Sequence, residues 1–353
     1  MGKKYELTSD ITLAERDVWL HRIRALEDIY NDEGERVVRA GRLGGWVESE
    51  ENLSQEGDCW VANEARVYGN ARVSGSAIIA DCARVFDHAH VSEKAKVKDR
   101  ATVHGNAEVS GEATVSGDAE IYDSAKILDG TIKDRAKVFG KALVNHWAKV
   151  VEDAKVFEYA KVYDFAEIGG YACIHGNARI FGMSVCYGKA EIFDNAQVSG
   201  VVGSGNARIY GTAIVCGRVS GDAEICDEAF IDRDAEIHGA VKVFGRARIL
   251  NRAKVNGLAY IHDDAVVCGN AKVSGTEFRY AYAEDHVFMA VTISAFSDEL
   301  GIEIFGKAQV YDNANILNNA RISGNVTIGG TAIVGGNIIL AGNERYIKGY
   351  IRD

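Results

Sequence analysis

Proline is absent from the 353 residues of the sequence, where average usage of about 5% would give roughly 18. The absence excludes collagen, proline-rich linkers and mucin-like stalks. Since proline has no backbone N–H, it also indicates a chain in which nearly every backbone donor is needed for hydrogen bonding.

Several other features are missing. The seven cysteines form no CxxC pair, so neither a zinc cluster nor a disulfide framework is indicated. No apolar run approaches the ~18 residues of a membrane span, and the N-terminal residues lack the apolar core of a signal peptide. The net charge is −11 without a basic block, which is unfavourable for binding nucleic acid or anionic membranes. We therefore expect a cytoplasmic protein that binds neither.

A six-residue repeat fills most of the chain. An alanine recurs every six residues at positions 65, 71, 77, 83, 89, 95, 101, 107, 113, 119 and 125. A valine or isoleucine follows two residues after each alanine, with a polar residue between them, so the unit alternates like a short strand. A Gly-Asn, Gly-Asp or Gly-Ser pair comes next in many units, and these residues tolerate the positive φ of a turn. The period matches the hexapeptide β-helix.

The six-residue spacing of the repeat is interrupted at a few places. One step is five residues long at Gly130-Thr131-Ile132, and further defects lie near Val201–Gly205 and Cys216–Val219. With three sides in each turn, the repeat predicts 18-residue turns, about 14 in all. We expect the defects to shorten turns without removing a side.

A series of aromatic residues and histidines tests the three-sided interpretation. The residue after every third core valine or isoleucine gives Tyr68, Phe86, His104, Tyr122, Phe139, Phe157, His175, Phe193, Tyr210, Cys226, Phe244 and His262. We call this series the ring column; eleven of its twelve members are aromatic or histidine, and the next step lands on Tyr280. Three roles stay open: stabilisation by stacked rings, an interface with a second copy or a partner, and a groove for a stacking ligand.

The unit Val-Ser-Gly-Asp-Ala-Glu resembles the hexapeptide pattern [LIV]-[GAED]-x-x-[STAV]-x of left-handed β-helix proteins. Many repeats depart from its second position, where an aromatic residue, serine or lysine stands. The resemblance implies an all-β, left-handed parallel β-helix, and the left hand comes from the resemblance alone.

A second resemblance lies near the N-terminus. The motifs Gly44-Gly45-Trp46-Val47, Asn52-Leu53-Ser54-Gln55 and Gly57-Asp58-Cys59-Trp60-Val61 resemble the N-terminal signature of YdcK-like bacterial and phage hexapeptide proteins. Members of this group are commonly labelled acetyltransferases. The resemblance implies acetyl-CoA or another acyl-CoA as cofactor, a trimer, and a histidine general base beside a cleft between subunits.

Three regions are expected along the chain. Residues 1–57 are interpreted as a cap that covers the open end of the β-helix. Within them, residues 11–29 fit either an amphipathic helix or a strand. Residues 58–342 form the β-helix, interrupted by an excursion at about 276–302, and residues 343–353 form a tail or second cap.

The excursion supplies the candidate catalytic residues. It contains His286 preceded by Glu284 and Asp285, so a carboxylate stands next to a histidine. His286 is the candidate general base, and His262 is the runner-up. The alternative is an irregular coil or flap without catalytic function.

No metal site is predicted. His104, His175 and His262 share the ring column but lie four and five turns apart, or ~19 and ~24 Å at strand spacing, whereas zinc–nitrogen bonds are ~2 Å. His88 and His90 flank Ala89 without an apparent third ligand.

Three hypotheses follow for function. The chain is a rigid scaffold that binds a partner or itself through the ring column, with a trimer favoured. Alternatively, it is an acyl-CoA-dependent acyltransferase; enzymatic activity is left open. A third hypothesis, an acidic decoy for a nucleic-acid site, is weakened because the charges are mixed rather than concentrated.

Overall fold

The computed structural model describes residues 2–31, 33–275, 302–318 and 320–352. The chain divides into two compact units, Met1–Asn195 and Ala196–Asp353. Both are built almost entirely of short strands, and each is a parallel β-solenoid.

The first unit opens with five strands and two short 3₁₀ turns. They are β1 (Tyr5–Leu13), a 3₁₀ turn (Glu15–Asp17), β2 (Trp19–Ala25), β3 (Ile29–Tyr30), β4 (Arg36–Val38), β5 (Leu43–Val47) and a second 3₁₀ turn (Glu50–Asn52). Strand β2 pairs antiparallel with β1 and β5, and β3 pairs antiparallel with β4. Residues 11–29 are therefore mainly strand rather than amphipathic helix, and Leu20, Ile23 and Ala25 of β2 are buried.

The rest of the first unit consists of strands two or three residues long. They are β6 (Trp60–Val61), β7 (Arg66–Val67), β8 (Arg72–Val73), β9 (Ile78–Ile79), β10 (Arg84–Val85), β11 (His90–Val91), β12 (Lys96–Val97), β13 (Thr102–Val103), β14 (Glu108–Ser110), β15 (Thr114–Val115), β16 (Glu120–Ile121), β17 (Lys126–Leu128), β18 (Thr131–Ile132), β19 (Lys137–Val138), β20 (Leu143–Asn145), β21 (Lys149–Val150), β22 (Lys155–Val156), β23 (Lys161–Val162), β24 (Glu167–Ile168), β25 (Cys173–Ile174), β26 (Arg179–Ile180), β27 (Val185–Cys186) and β28 (Glu191–Ile192).

From β6 to β25, each strand pairs in parallel with the strand three places further along, which produces three sheets. In the first sheet β7 pairs with β10 and β10 with β13; in the second β8 pairs with β11; in the third β9 pairs with β12. The parallel pairing begins before residue 58, because β5 pairs with β7 and Leu53 bridges to Val73.

The six-residue repeat determines which side chains form the core. The repeated alanine and the valine or isoleucine two residues later point inward; Ala83 and Val85 are fully buried, as are Ala101 and Val103. The backbone bonds join successive turns, since Arg84 N–H donates to the Ala101 carbonyl at 2.9 Å. Proline cannot donate such a bond, and this accounts for its absence.

The turns after the first sheet alternate two residue types at the positive-φ position. From one turn to the next the residue is Gly69, Asp87, Gly105, Asp123, Gly140, Glu158, Gly176 and Asp194. Each glycine lies close to the next turn: a Cβ on Gly105 would stand 2.8 Å from the Asp123 nitrogen. The acidic residue accepts the glycine N–H of the following turn, as Asp87 Oδ2 does from Gly105 at 3.3 Å.

The second unit continues the same construction. Its strands are β29 (Gln197–Val198), β30 (Val201–Gly205), β31 (Arg208–Ile209), β32 (Ile214–Val215), β33 (Arg218–Gly221), β34 (Glu224–Ile225), β35 (Phe230–Ile231), β36 (Glu236–Gly239), β37 (Lys242–Val243), β38 (Arg248–Ile249), β39 (Lys254–Gly257), β40 (Ala259–Ile261), β41 (Val266–Val267), β42 (Lys272–Gly275), β43 (Ile302–Ile304), β44 (Gln309–Val310), β45 (Asn315–Asn318), β46 (Arg321–Ile322), β47 (Thr327–Ile328), β48 (Ile333–Val334), β49 (Ile339–Leu340), β50 (Arg345–Tyr346) and β51 (Tyr350–Ile351).

The defects in the repeat shorten turns and leave the pairing intact. Strand β29 pairs with β32 and β30 with β33, so the strands on both sides of the short turns keep their sheets. Glycine takes the place of the core alanine there: a Cβ on Gly217 would lie 2.3 Å from the Asp232 carbonyl oxygen. The tighter turn leaves no room for a side chain.

The last strands of the second unit also belong to its sheets. After the excursion, β43 pairs directly with β40, and residues 276–301 of the excursion lie outside the described residues. Residues 343–353, expected as a tail or cap, contribute β50 and β51, which pair in parallel with β47 and β48.

Candidate functional site

The ring column is a continuous stack in the first unit, because its members occupy one turn position in successive coils. The centroid distances are 5.0 Å for Tyr68–Phe86, 4.8 Å for Phe86–His104, 5.3 Å for His104–Tyr122, 4.8 Å for Tyr122–Phe139, 4.8 Å for Phe139–Phe157, 4.8 Å for Phe157–His175 and 5.1 Å for His175–Phe193. The planes are nearly parallel, with 1° between Phe139 and Phe157.

In the second unit the ring column continues past the excursion. His262 stacks between Phe244 at 4.6 Å and Phe305 at 5.1 Å. Counting along the sequence pointed to Tyr280, which lies outside the described residues. Phe305 was missed because β43 follows β40 in the sheet although the excursion separates them in sequence.

The rings of the column cover the faces of their neighbours. Tyr68 and Phe86 are only 4% and 7% exposed, because they also pack in a cluster with Ala14, Leu20 and Trp46. The other ring-bearing members are half-buried. The column therefore presents the rims of its rings rather than their faces.

Carboxylates flank the histidines of the column. His104 Nδ1 lies 3.7 Å from Asp87, and His175 Nε2 lies 3.5 Å from Glu191. His262, with only 16% of its side chain exposed, has Asp263 at 3.4 Å from Nδ1 and Glu303 at 3.3 Å from Nε2. Each pair can orient an imidazole, but stacking on both faces restricts access to the His262 ring. His286, the other candidate base, lies outside the described residues.

The ring column does not bring its histidines together. His104 and His175 are separated by the stacked rings of Tyr122, Phe139 and Phe157. Among the described residues no group of three histidine, cysteine or acidic side chains is placed to hold a metal ion. The helices among all the described residues are the two 3₁₀ turns, and neither is long enough or apolar enough to cross a membrane.

A hydrogen bond from the Tyr210 hydroxyl to an acidic side chain distinguishes its position in the column. This hydroxyl donates to Glu224 Oε1 at 2.7 Å, and Lys242 Nζ lies 3.1 Å from the other oxygen of that carboxylate. The hydrogen bond from Tyr210, followed by that from Lys242, lowers the pKa of Glu224. The same bond raises the pKa of Tyr210 above its ordinary range.

An exposed apolar surface lies on another turn of the first unit. Trp147, Phe165 and Met183 occupy the last turn position before the third sheet in three successive coils, and we call them the corner patch. They are 57%, 63% and 81% exposed, and the Trp147 and Phe165 rings stack at 5.8 Å. Tyr163 and Phe181 stack at 5.5 Å in the same two turns as Phe165 and Met183. The ring column does not reveal this surface, because it contains only the residues that follow a core valine or isoleucine. The signal lies in the sixth residue of each six-residue repeat.

A charged cavity lies in the second unit. It has a volume of about 520 Å³ and is lined by Arg218, Arg233, Asp234, Glu236, Arg252 and Lys254. The sequence indicated only that charges are mixed along the chain, and it did not single out these residues. Their convergence depends on which turns and strands the solenoid places side by side.

One comparison with known proteins bears on the fold. Residues 65–80 match the family model described as the YdcK beta solenoid repeat. This segment is similar to a YdcK β-solenoid repeat. The YdcK match spans β7, β8 and β9, one strand from each of the three sheets, and so corresponds to the strands of one turn. No curated protein matches the chain.

Proposed function

We propose that the protein is a rigid binding and assembly scaffold that associates with further copies of itself through an aromatic surface. The observation that carries this proposal is the corner patch. Its three large apolar side chains are more than half exposed on neighbouring turns, although most outward positions of the solenoid are polar. Contiguous exposed apolar patches of this kind commonly mark interaction surfaces.

The ring column supports the rigidity of the scaffold. Stacked aromatic pairs contribute ~0.5–1.5 kcal/mol each beyond their buried area, and the column adds such a contact at nearly every turn of the first unit. A solenoid turn otherwise contacts only its neighbours. The column thus links successive turns outside the core, and its half-buried rims are the second candidate surface for assembly.

Light scattering tests the proposal and separates the two surfaces. Absolute mass is measured at high and low protein concentration; a trimer has three times the 38.2 kDa of the chain. The double variant Phe165→Ser/Met183→Ser should shift the mass to that of the monomer. Tyr159→Ser is the matched control, because Tyr159 is 54% exposed outside the corner patch.

A second double variant, Phe139→Ser/Phe157→Ser, tests the ring column as the interface. If only this variant loses assembly and its circular dichroism spectrum is unchanged, the ring column rather than the corner patch forms the interface. A monomeric wild-type protein at both concentrations contradicts self-association.

The acyltransferase alternative rests on the pairing of His262 with Glu303, since a carboxylate can orient a histidine base. In this alternative an acyl-CoA binds beside a cleft between subunits, and His262 or His286 removes a proton from the acceptor. Calorimetric titration with acetyl-CoA tests it, followed by turnover of His262→Ala and His286→Ala. Absence of acetyl-CoA binding by the assembled protein rejects the alternative and leaves the scaffold proposal standing.

A further inference from the structure

The charged cavity is built on three successive strands of one sheet. Arg218 on β33, Glu236 on β36 and Lys254 on β39 stand in register at the same outward position. Lys254 Nζ forms an ion pair with Glu236 at 2.7 Å. This pair neutralises one charge of each sign on the floor of the cavity.

Two turns form the other side of the cavity. Arg233 and Asp234 belong to the turn between β35 and β36, and Arg252 belongs to the equivalent turn one coil later, between β38 and β39. Asp232 orders the first turn and links it to the second, because its carboxylate accepts the backbone N–H groups of Arg233 at 2.8 Å and Asn251 at 3.0 Å.

Elsewhere, arginine and aspartate at this turn position one coil apart form ion pairs. The closest contacts are 2.6 Å for Arg100–Asp118, 2.5 Å for Arg135–Asp153 and 2.8 Å for Arg246–Asp264. Asp234 and Arg252 have the same spacing, yet no ion pair joins them within the described part of the chain. The two side chains instead line the cavity together with Arg218 and Arg233.

The charge balance of the cavity favours an anion. With Lys254 and Glu236 paired, the lining side chains leave three guanidinium groups and one carboxylate, that of Asp234, so the lining carries an excess of two positive charges. The chain as a whole carries −11. Guanidinium groups hold phosphate oxygens through paired N–H donors, and a volume of about 520 Å³ falls within the ~300–1,000 Å³ of small-molecule sites.

We propose that this cavity binds the doubly charged phosphate group of a small phosphorylated molecule, held by Arg218, Arg233 and Arg252. The carboxylate of Asp234 lowers the affinity of the cavity for anions. The site lies on a different sheet and turn from the ring column and in a different unit from the corner patch, so it does not depend on the proposed scaffold function.

Calorimetric titration of the full-length protein with inorganic phosphate, and with phosphoserine as a phosphate monoester, tests the site. Arg252→Gln should weaken phosphate binding by about tenfold or more, because it removes a charge-assisted donor. Asp234→Asn should strengthen it severalfold, because it removes the opposing charge. Arg246→Gln is the matched control: its guanidinium already pairs with Asp264 and lies outside the cavity.

The pattern across the three variants decides the outcome. Weaker binding in Arg252→Gln, stronger binding in Asp234→Asn and unchanged binding in Arg246→Gln support the site. Absence of binding by the wild-type protein overturns it, as does an equal loss in Arg252→Gln and Arg246→Gln, which would indicate general charge attraction. The oligomeric state is measured in parallel and tests the scaffold proposal separately.

Discussion

His262 stacks on Phe305 with 5.1 Å between the ring centroids, and the Glu303 carboxylate lies 3.3 Å from His262 Nε2. Both partners follow the long excursion in sequence, yet they occupy the next turn of the solenoid. The position of a strand in its sheet therefore determines which rings meet, and distance along the sequence does not.

The stacked rings should contribute measurably to stability. Phe157 stacks on Phe139 and His175, each at 4.8 Å. Replacing it in Phe157→Leu keeps the apolar character and removes both stacking contacts, so we expect a loss of about 1–3 kcal/mol. Urea denaturation followed by circular dichroism measures the change.

Tyr171→Leu is the matched control for this substitution. The Tyr171 side chain is 64% exposed and lies outside the ring column, so its replacement should change stability by no more than about 0.5 kcal/mol. An equal loss in the two variants would show that the column adds nothing beyond ordinary apolar contact.

Acid should weaken the second unit through Glu224. The hydrogen bond from Tyr210 and the contact with Lys242 lower the pKa of Glu224 in the folded protein. A carboxyl with a lowered pKa contributes fully to stability at pH values above its pKa in the unfolded chain, about 4.3. This contribution is lost as the pH falls from there through the lower pKa of the folded state.

The variant Glu224→Gln tests this dependence. It should melt at a lower temperature than the wild type at pH 7, and the difference should shrink as the pH is lowered towards 3. Thermal melts at several pH values measure it. A difference that stays constant over this range would contradict the assigned role of the carboxylate.

Two turn glycines separate backbone strain from steric clash. Gly105 and Gly182 have φ of 69° and 70°, and each donates its N–H to an aspartate of the preceding coil. A Cβ on Gly105 would stand 2.8 Å from the Asp123 nitrogen, whereas a Cβ on Gly182 meets no atom within 4 Å.

Gly182→Ala should therefore lower the free energy of unfolding by only ~1 kcal/mol, the cost of a left-handed backbone conformation at alanine. Alanine at Gly105 should cost ~1–3 kcal/mol more, because the facing backbone must also move. Denaturation midpoints of Gly105→Ala and Gly182→Ala provide the comparison. Equal losses of stability would contradict a steric clash at Gly105, because they would mean that the facing turn moves away from the added Cβ without cost.

The periodic part of the fold could be predicted from the sequence. Inward-pointing residues such as Ala83 and Val85 recur with a fixed period because each turn must fill the same narrow interior. The ring series likewise predicted three sides, and the parallel pairing of Arg66 with Arg84 shows the 18-residue register. The left hand of the winding stays a prediction from resemblance, since strand pairing is the same in either hand.

The candidate sites could not be predicted in the same way. Outward positions are not constrained by the core, so Trp147, Phe165 and Met183 stand out only when adjacent turns are compared. The arginines of the cavity come from separate turns and strands, and their meeting depends on side-chain orientation. Phe305 required knowledge of where the chain rejoins the sheet after the excursion.

The alternation of glycine and acidic residues beside the ring column has a consequence for the length of the protein. Gly105 follows Asp87, and Asp123 follows Gly105, so the chemical repeat along this side is two turns. Removal of one acidic turn would bring two glycines into succession and would leave one glycine N–H without its carboxylate acceptor. Removal of one glycine turn would not have this cost, because two acidic residues in succession keep the bond elsewhere in the first unit: the Asp99 N–H donates to Asp81 Oδ2 at 3.2 Å. Shortened forms of the first unit should therefore tolerate the loss of a glycine turn better than the loss of an acidic turn.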